Sequence, residues 1–147
     1  MKKSILFRLL AVCMAAVLLL GVPAAAAAAD PMQPQASNYF RSRTTYISRP
    51  SAGAVKVSFS ADGYSTMTKL GAKSIKIYQS YDSNTWSLVK TYSSDSTAGL
   101  LGSNKSAYSS SVTYSGYVGV YYKAYVQFYA QNSSGSDSVY AWTNVTV

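Results

Sequence analysis

From Tyr117 to Ala130 the chain reads YVGVYYKAYVQFYA, and past Val120 every second side chain is of one kind. Tyr122, Ala124, Val126, Phe128 and Ala130 fall on one side; Tyr121, Lys123, Tyr125, Gln127 and Tyr129 fall on the other. Only a strand keeps two such sets apart, because on a helix both would scatter around the circumference. One face of this segment is therefore expected in a core and the other toward water. That pattern limits the chain to folds built on a half-buried sheet.

Other segments carry the same period. In AVKVSFS, Val55, Val57 and Phe59 oppose Lys56, Ser58 and Ser60, and in SIKIYQSY, Ile75 and Ile77 oppose Lys76 and Tyr78. DGYST from Asp62 and YDSNT around Asp82 to Thr85 read as turns. TWSLVKTY reads as a strand with a bulge, since Trp86 and Val89 break strict alternation. Thr91 to Lys105 is expected as a long polar connection with an apolar knuckle at Leu100 and Leu101. SAYSSSVTY places Tyr108, Val112 and Tyr114 on one face. SVYAWTNVTV sets Val139, Ala141, Thr143, Val145 and Val147 against Tyr140, Trp142 and Asn144. With RSRTTYIS near the start, this makes about seven strands.

Composition supports strands over helices. Residues 30–147 contain 24 Ser, 10 Thr, four Leu and no Glu. Ser competes with helical hydrogen bonds, whereas Thr, Val and Tyr suit a pleated surface. Fourteen Tyr and two Trp supply buried area that few aliphatic residues provide. The expected class is all-β, an immunoglobulin-like or fibronectin-like antiparallel β-sandwich over residues 41–147. A flexible lead-in is expected over 30–40.

Residues 1–29 read as a signal peptide: a cationic start (Lys2, Lys3, Arg8), an apolar run from Leu9 to Val22, Pro23 and an alanine tract, with cleavage after Ala29. The expected protein is secreted and extracellular, with no stable membrane insertion once the signal is gone. With no hydrophobic tail at Val147, free release is expected. The signal holds the single cysteine, Cys13, and the chain has no histidine. A mature chain so composed has no thiol nucleophile, imidazole base, disulfide, or His or Cys metal ligand. Its carboxylates are Asp30, Asp62, Asp82, Asp95 and Asp137, all in the lead-in or in turn-like contexts, so paired-carboxylate hydrolysis is not expected. Ser87-x-x-Lys90 matches a serine–lysine motif but lies in a strand-like segment. Asp82-Ser83-Asn84 has oxygens for calcium yet reads as a tight turn. No catalysis, cofactor or metal is expected.

YYKAYVQFYAQNSSGSDS resembles the penultimate strand and following turn of a fibronectin type III domain, with Tyr122, Ala124, Val126, Ala130, Asn132 and Gly135 in the matching places. The span from Tyr122 to Asn132 is two residues longer than that pattern, and the early Trp of strand B is absent. Residues from about 41 to 140 also resemble short secreted proteins of Gram-positive gut bacteria that share a domain of unknown function. The matching features are the basic first strand, Asp82 to Trp86, and Tyr114 to Ala124. The resemblance implies export and a sandwich, and offers no activity.

Two surface features suggest contact with a partner. Tyr121, Tyr125 and Tyr129 recur every four residues, about 13 Å per step, and Tyr140 and Trp142 extend the patch if the next strand pairs as a hairpin. Such rings stack on sugars or anchor a protein, and they equally serve cross-strand packing. Seven cations between Arg41 and Lys76 face one anion, Asp62. Among them Arg41, Arg43, Lys56 and Lys76 form a basic face if the strands carrying Lys56 and Lys76 are neighbours. The expectation is a secreted binding protein for cell-wall polymer, glycan or protein, with no specific nucleic-acid partner. The alternatives are a cationic effector acting on competitors' envelopes and a self-assembling matrix component.

Overall fold

The computed structural model describes residues 37–147. The expected signal peptide, Asp30 and the start of the expected lead-in lie outside the described residues. Six strands are present: β1 (Phe40–Ser48), β2 (Ala54–Ser80), β3 (Ser87–Ser93), β4 (Leu101–Ser115), β5 (Tyr121–Asn132) and β6 (Gly135–Trp142). Every pairing is antiparallel, and the described residues contain no helix. The all-β expectation holds.

The count is six because two expected strands are one. DGYST, expected as a turn, lies inside the 27-residue β2. One edge of β2 pairs first with β1, through Ile47↔Val57, and then with β5, through Ile75↔Val126. The other edge pairs first with β4, through Val57↔Val112, and then with β3, through Ile75↔Tyr92. β6 completes the sheet against β5. All six strands thus belong to one continuous sheet with β2 as its spine.

The sheet curls so that the inner faces of its two parts meet. Phe128 of β5 takes Phe40 of β1 and Phe59 of β2 edge-on, each at a centroid separation of 6.3 Å. Tyr114 of β4 lies 6.1 Å from Tyr122 of β5. The apolar sets expected inside are inside: Val55, Val57 and Phe59, then Ile75 and Ile77, then Tyr122, Ala124, Val126, Phe128 and Ala130. These join Met67, Leu70, Leu100, Val112 and Val139 in a single cluster. Buried Tyr122 keeps its hydroxyl satisfied by accepting the Tyr117 N–H at 2.8 Å.

Several boundaries differ from expectation. The long connection after Tyr92 is shorter, because Leu101 to Lys105 pair with β2 from Gly71 to Met67. Leu100 caps the core there, and Gly71 allows it: a Cβ at position 71, where φ is +149°, would collide with the Leu100 carbonyl. β1 begins at Phe40, whose ring is in the core. β6 ends at Trp142, and the terminal alternation fails, since Val145 and Val147 are exposed. The bulge in β3 is present: Ile77 and Tyr78 are adjacent in β2, yet their partners Lys90 and Leu88 leave Val89 unpaired.

Candidate functional site

The outer face of β3, β2, β5 and β6 carries the aromatic cluster. Register places Lys76 beside Tyr125, and Tyr125 beside Trp142. In the next row Leu88, Tyr78 and Lys123 lie side by side. Tyr125 stacks on Tyr140 at 5.5 Å with rings 13° from parallel, and its other neighbour is Trp142 at 4.7 Å. Tyr78 meets the same indole at 5.3 Å. Trp142 remains 42% exposed at the centre of the group.

Lys123 is held between two indoles. Its Nζ lies 4.2 Å from the Trp86 ring centroid and 4.7 Å from that of Trp142. A cation over an indole face is attracted by the ring quadrupole. Desolvation among these rings lowers the Lys123 pKa below the ordinary lysine value. Burial likewise raises the Tyr125 pKa, with Tyr140 and Tyr78 adding to the effect.

Trp86 reaches this place through a hydrogen-bonded turn. Asp82 Oδ1 accepts the Ser80 hydroxyl at 2.8 Å and the amides of Asn84 and Thr85 at 2.9 and 2.7 Å; Oδ2 accepts the Thr85 hydroxyl at 3.1 Å. The two amides contribute most to holding the Asp82 carboxyl well below the usual carboxylate range. This is an Asx-type turn, and it returns the chain so that Trp86 lies over Lys123.

The expected stripe is divided. Tyr121, Tyr125 and Tyr129 are all half-buried on the outer side, but only Tyr125 joins the ring cluster. Tyr129 lies under Lys73 at 5.3 Å and donates its hydroxyl to Gln131 Oε1 at 3.2 Å. Tyr121 sits at the far end of β5, paired with Ser80. Tyr140 and Trp142 do extend the patch, as the hairpin register requires. Trp86, Tyr78 and Lys123 were not among the expected contact residues. Tyr78 was legible from its place opposite Ile75 and Ile77, but nothing local indicates that a turn brings Trp86 to the same face.

The cations do not converge as expected. Lys56 and Lys76 lie on the same strand, 20 residues apart and on different parts of the sheet, not on neighbouring strands. Lys56 borders a shallow, hydroxyl-lined groove with Thr44, Tyr46, Ser58, Ser60, Ser109 and Ser111. Arg41 is exposed and Arg43 half-buried on β1. Arg49 donates to the carbonyls of Val120 and Tyr117 and lies 5.5 Å from the Tyr122 ring, so it closes the core. Lys90 of the serine–lysine match lies over Tyr92 at 5.5 Å.

The described carboxylates are occupied locally. Asp62 accepts the Ser42 hydroxyl at 2.6 Å, Asp95 the Ser93 hydroxyl at 3.5 Å, and Asp137 the Ser138 amide at 2.8 Å. Among the described residues no three Asp, Glu, His or Cys side chains group as metal ligands would.

No family model matches the chain, and no curated protein does. A solved structure, the X-ray structure of Northeast Structural Genomics Consortium target SoR45, is similar at 12% sequence identity and TM-score 0.39. The likeness covers 74% of this chain and 85% of that one. At that level it carries no argument about function.

Proposed function

We propose that the chain is a secreted, non-enzymatic binding protein on an immunoglobulin-like or fibronectin-like sandwich, and that it recognises a cell-surface glycan. The observation that carries this reading is Lys123 between Trp86 and Trp142 on the outer sheet face, with Tyr78 and Tyr125 beside it. Indole and phenol rings offer apolar area for sugar C–H groups at small entropy cost, and an ammonium donates to sugar oxygens. The meeting inner faces of the curled sheet support the sandwich. The contact residues therefore centre on Trp142 and Tyr125 with Tyr140, Trp86 and Lys123, and Tyr121 and Tyr129 lie at the margin.

The chain has two tryptophans, and both are in this site. Intrinsic fluorescence then reports occupancy directly. Titration with wall and mucin glycan fragments is expected to shift the emission. Trp142→Ala is expected to abolish retention on the corresponding glycan array while costing about 1–2 kcal/mol from its lost ring contacts, so that the variant stays folded. Full retention by folded Trp86→Ala and Trp142→Ala proteins would refute this reading.

A further inference from the structure

Four strands have one edge without a partner strand among the described residues. β1, β3 and β4 each pair with β2 alone, and β6 pairs with β5 alone. An open edge is a template for another strand, and proteins blunt it with cations, bulges or cover. β1 carries Arg41 and Arg43 and slips register between Phe40 and Ser42. β3 carries Lys90 and the Val89 bulge. β4 carries Lys105, and the Tyr92 hydroxyl occupies its Thr113 carbonyl at 2.7 Å.

β6 has no cation and no bulge, and one local contact, at Ser138, occupies its edge. Its eight residues pair with β5 without interruption, from Asn132↔Gly135 to Tyr125↔Trp142, and contain no Lys, Arg or Pro. The Thr143 amide donates to the Ala124 carbonyl at 2.9 Å, which fixes the phase of the ladder. By alternation the amides of Ser136, Ser138, Tyr140 and Trp142 point away from β5. One of the four is taken: the Ser138 N–H donates to Asp137 Oδ1 at 2.8 Å.

We infer that the free edge of β6 is where a second copy of this chain joins, strand to strand, and that Asp137 is the latch limiting the union. The occupant is a second copy because the edge is self-complementary. A two-fold axis at Val139 sets Ser138 opposite the other copy's Tyr140, so outward amides and carbonyls meet. The same register sets Asp137 opposite Ala141 and so keeps the two carboxylates apart. It also runs the outer aromatic faces of both copies into one surface. β5, whose apolar sequence suggests assembly, has both edges already paired and does not serve this role. The pairing does not depend on the glycan reading.

Sedimentation velocity over a concentration series of the purified protein tests it. The wild type is expected to form a dimer and nothing larger. Asp137→Ala frees the Ser138 amide in both copies and is expected to lower the dimer dissociation constant about a hundredfold, about tenfold for each charge-assisted hydrogen bond released. Ser138→Pro and Ser136→Pro each remove an outward amide and are each expected to leave monomers; Ser136 is exposed and its amide serves no bond to β5, so the second variant covers any misfolding of the first. In the dimer the Tyr140 amide is expected to exchange slowly. Monomers throughout for both wild type and Asp137→Ala would overturn the inference. So would dimerisation of Ser136→Pro at the wild-type constant, or open-ended oligomers.

Discussion

Replacing Phe128 by Ala tests whether the two parts of the sheet are packed on each other. The ring is fully buried and meets Phe40 and Phe59 edge-on at 6.3 Å each. Truncation of a buried Phe costs about 3–5 kcal/mol, and two aromatic contacts from separate strands place this site near the upper end. With a urea m-value of about 1.5 kcal/mol per molar, the midpoint is expected to fall by about 2–3 M. The loss belongs to a domain whose total stability is about 5–15 kcal/mol, so the variant sits near the folding threshold at room temperature. Phe128→Leu keeps most of the volume and is expected to cost about 1–1.5 kcal/mol. Equilibrium urea unfolding followed by far-ultraviolet circular dichroism measures both. A double-mutant cycle of Phe128→Leu with Phe59→Leu isolates the contact between the two parts, with an expected coupling of about 0.5–1.5 kcal/mol. A cost below about 1.5 kcal/mol for Phe128→Ala, with no coupling to Phe59, would refute the curled arrangement.

Two further outcomes follow from the backbone and the turn. Gly71→Ala drives a Cβ into the Leu100 carbonyl at a φ of +149° and is expected to cost about 2–4 kcal/mol, read as a lowered urea midpoint. Asp82 has a depressed folded-state pKa, so its contribution is complete above the ordinary value of 3.8 and is lost as pH falls below it. In acid titration of thermal stability, Asp82→Ala is therefore expected to flatten the slope below pH 3.8 and, at neutral pH, to alter tryptophan emission as Trp86 loses its position.

The inner and outer sets of β5 were legible because all ten residues keep one phase. β2 was not legible as one strand because its phase changes twice. Val55, Val57, Phe59, Ala61 and Met67 face inward at odd positions, Leu70 and Ala72 at even ones, and Ile75 and Ile77 at odd ones again. The second change coincides with the register slip against β5, where Ala72 pairs with Phe128 and Ser74 with Gln127, leaving Lys73 as the extra residue. A one-residue insertion inverts every following side chain, so the sequence reads as two short strands with a turn between. The site was half legible for a related reason. Alternation gives the face of Tyr125, Tyr140 and Trp142, whereas the approach of Trp86 to Lys123 depends on a turn and a strand order that no single segment encodes.

The phase changes in β2 also explain how one strand builds both the core and the site. Without the extra residue at Lys73, Ile75 and Ile77 would turn outward and Lys76 and Tyr78 inward, placing a cation in the core and aliphatic side chains under the rings. With it, Lys73 projects over Tyr129 at 5.3 Å, Lys76 stands beside Tyr125, and Tyr78 reaches Trp142. The bulge therefore does for the outer face what Gly71 does for the inner one two residues earlier. Gly71 lets Leu100 approach the core, and Lys73 resets the phase so that the next aromatic residue points out. Because both devices lie within three residues of the spine strand, the ring cluster and the closure of the curl are fixed by the same short stretch of chain.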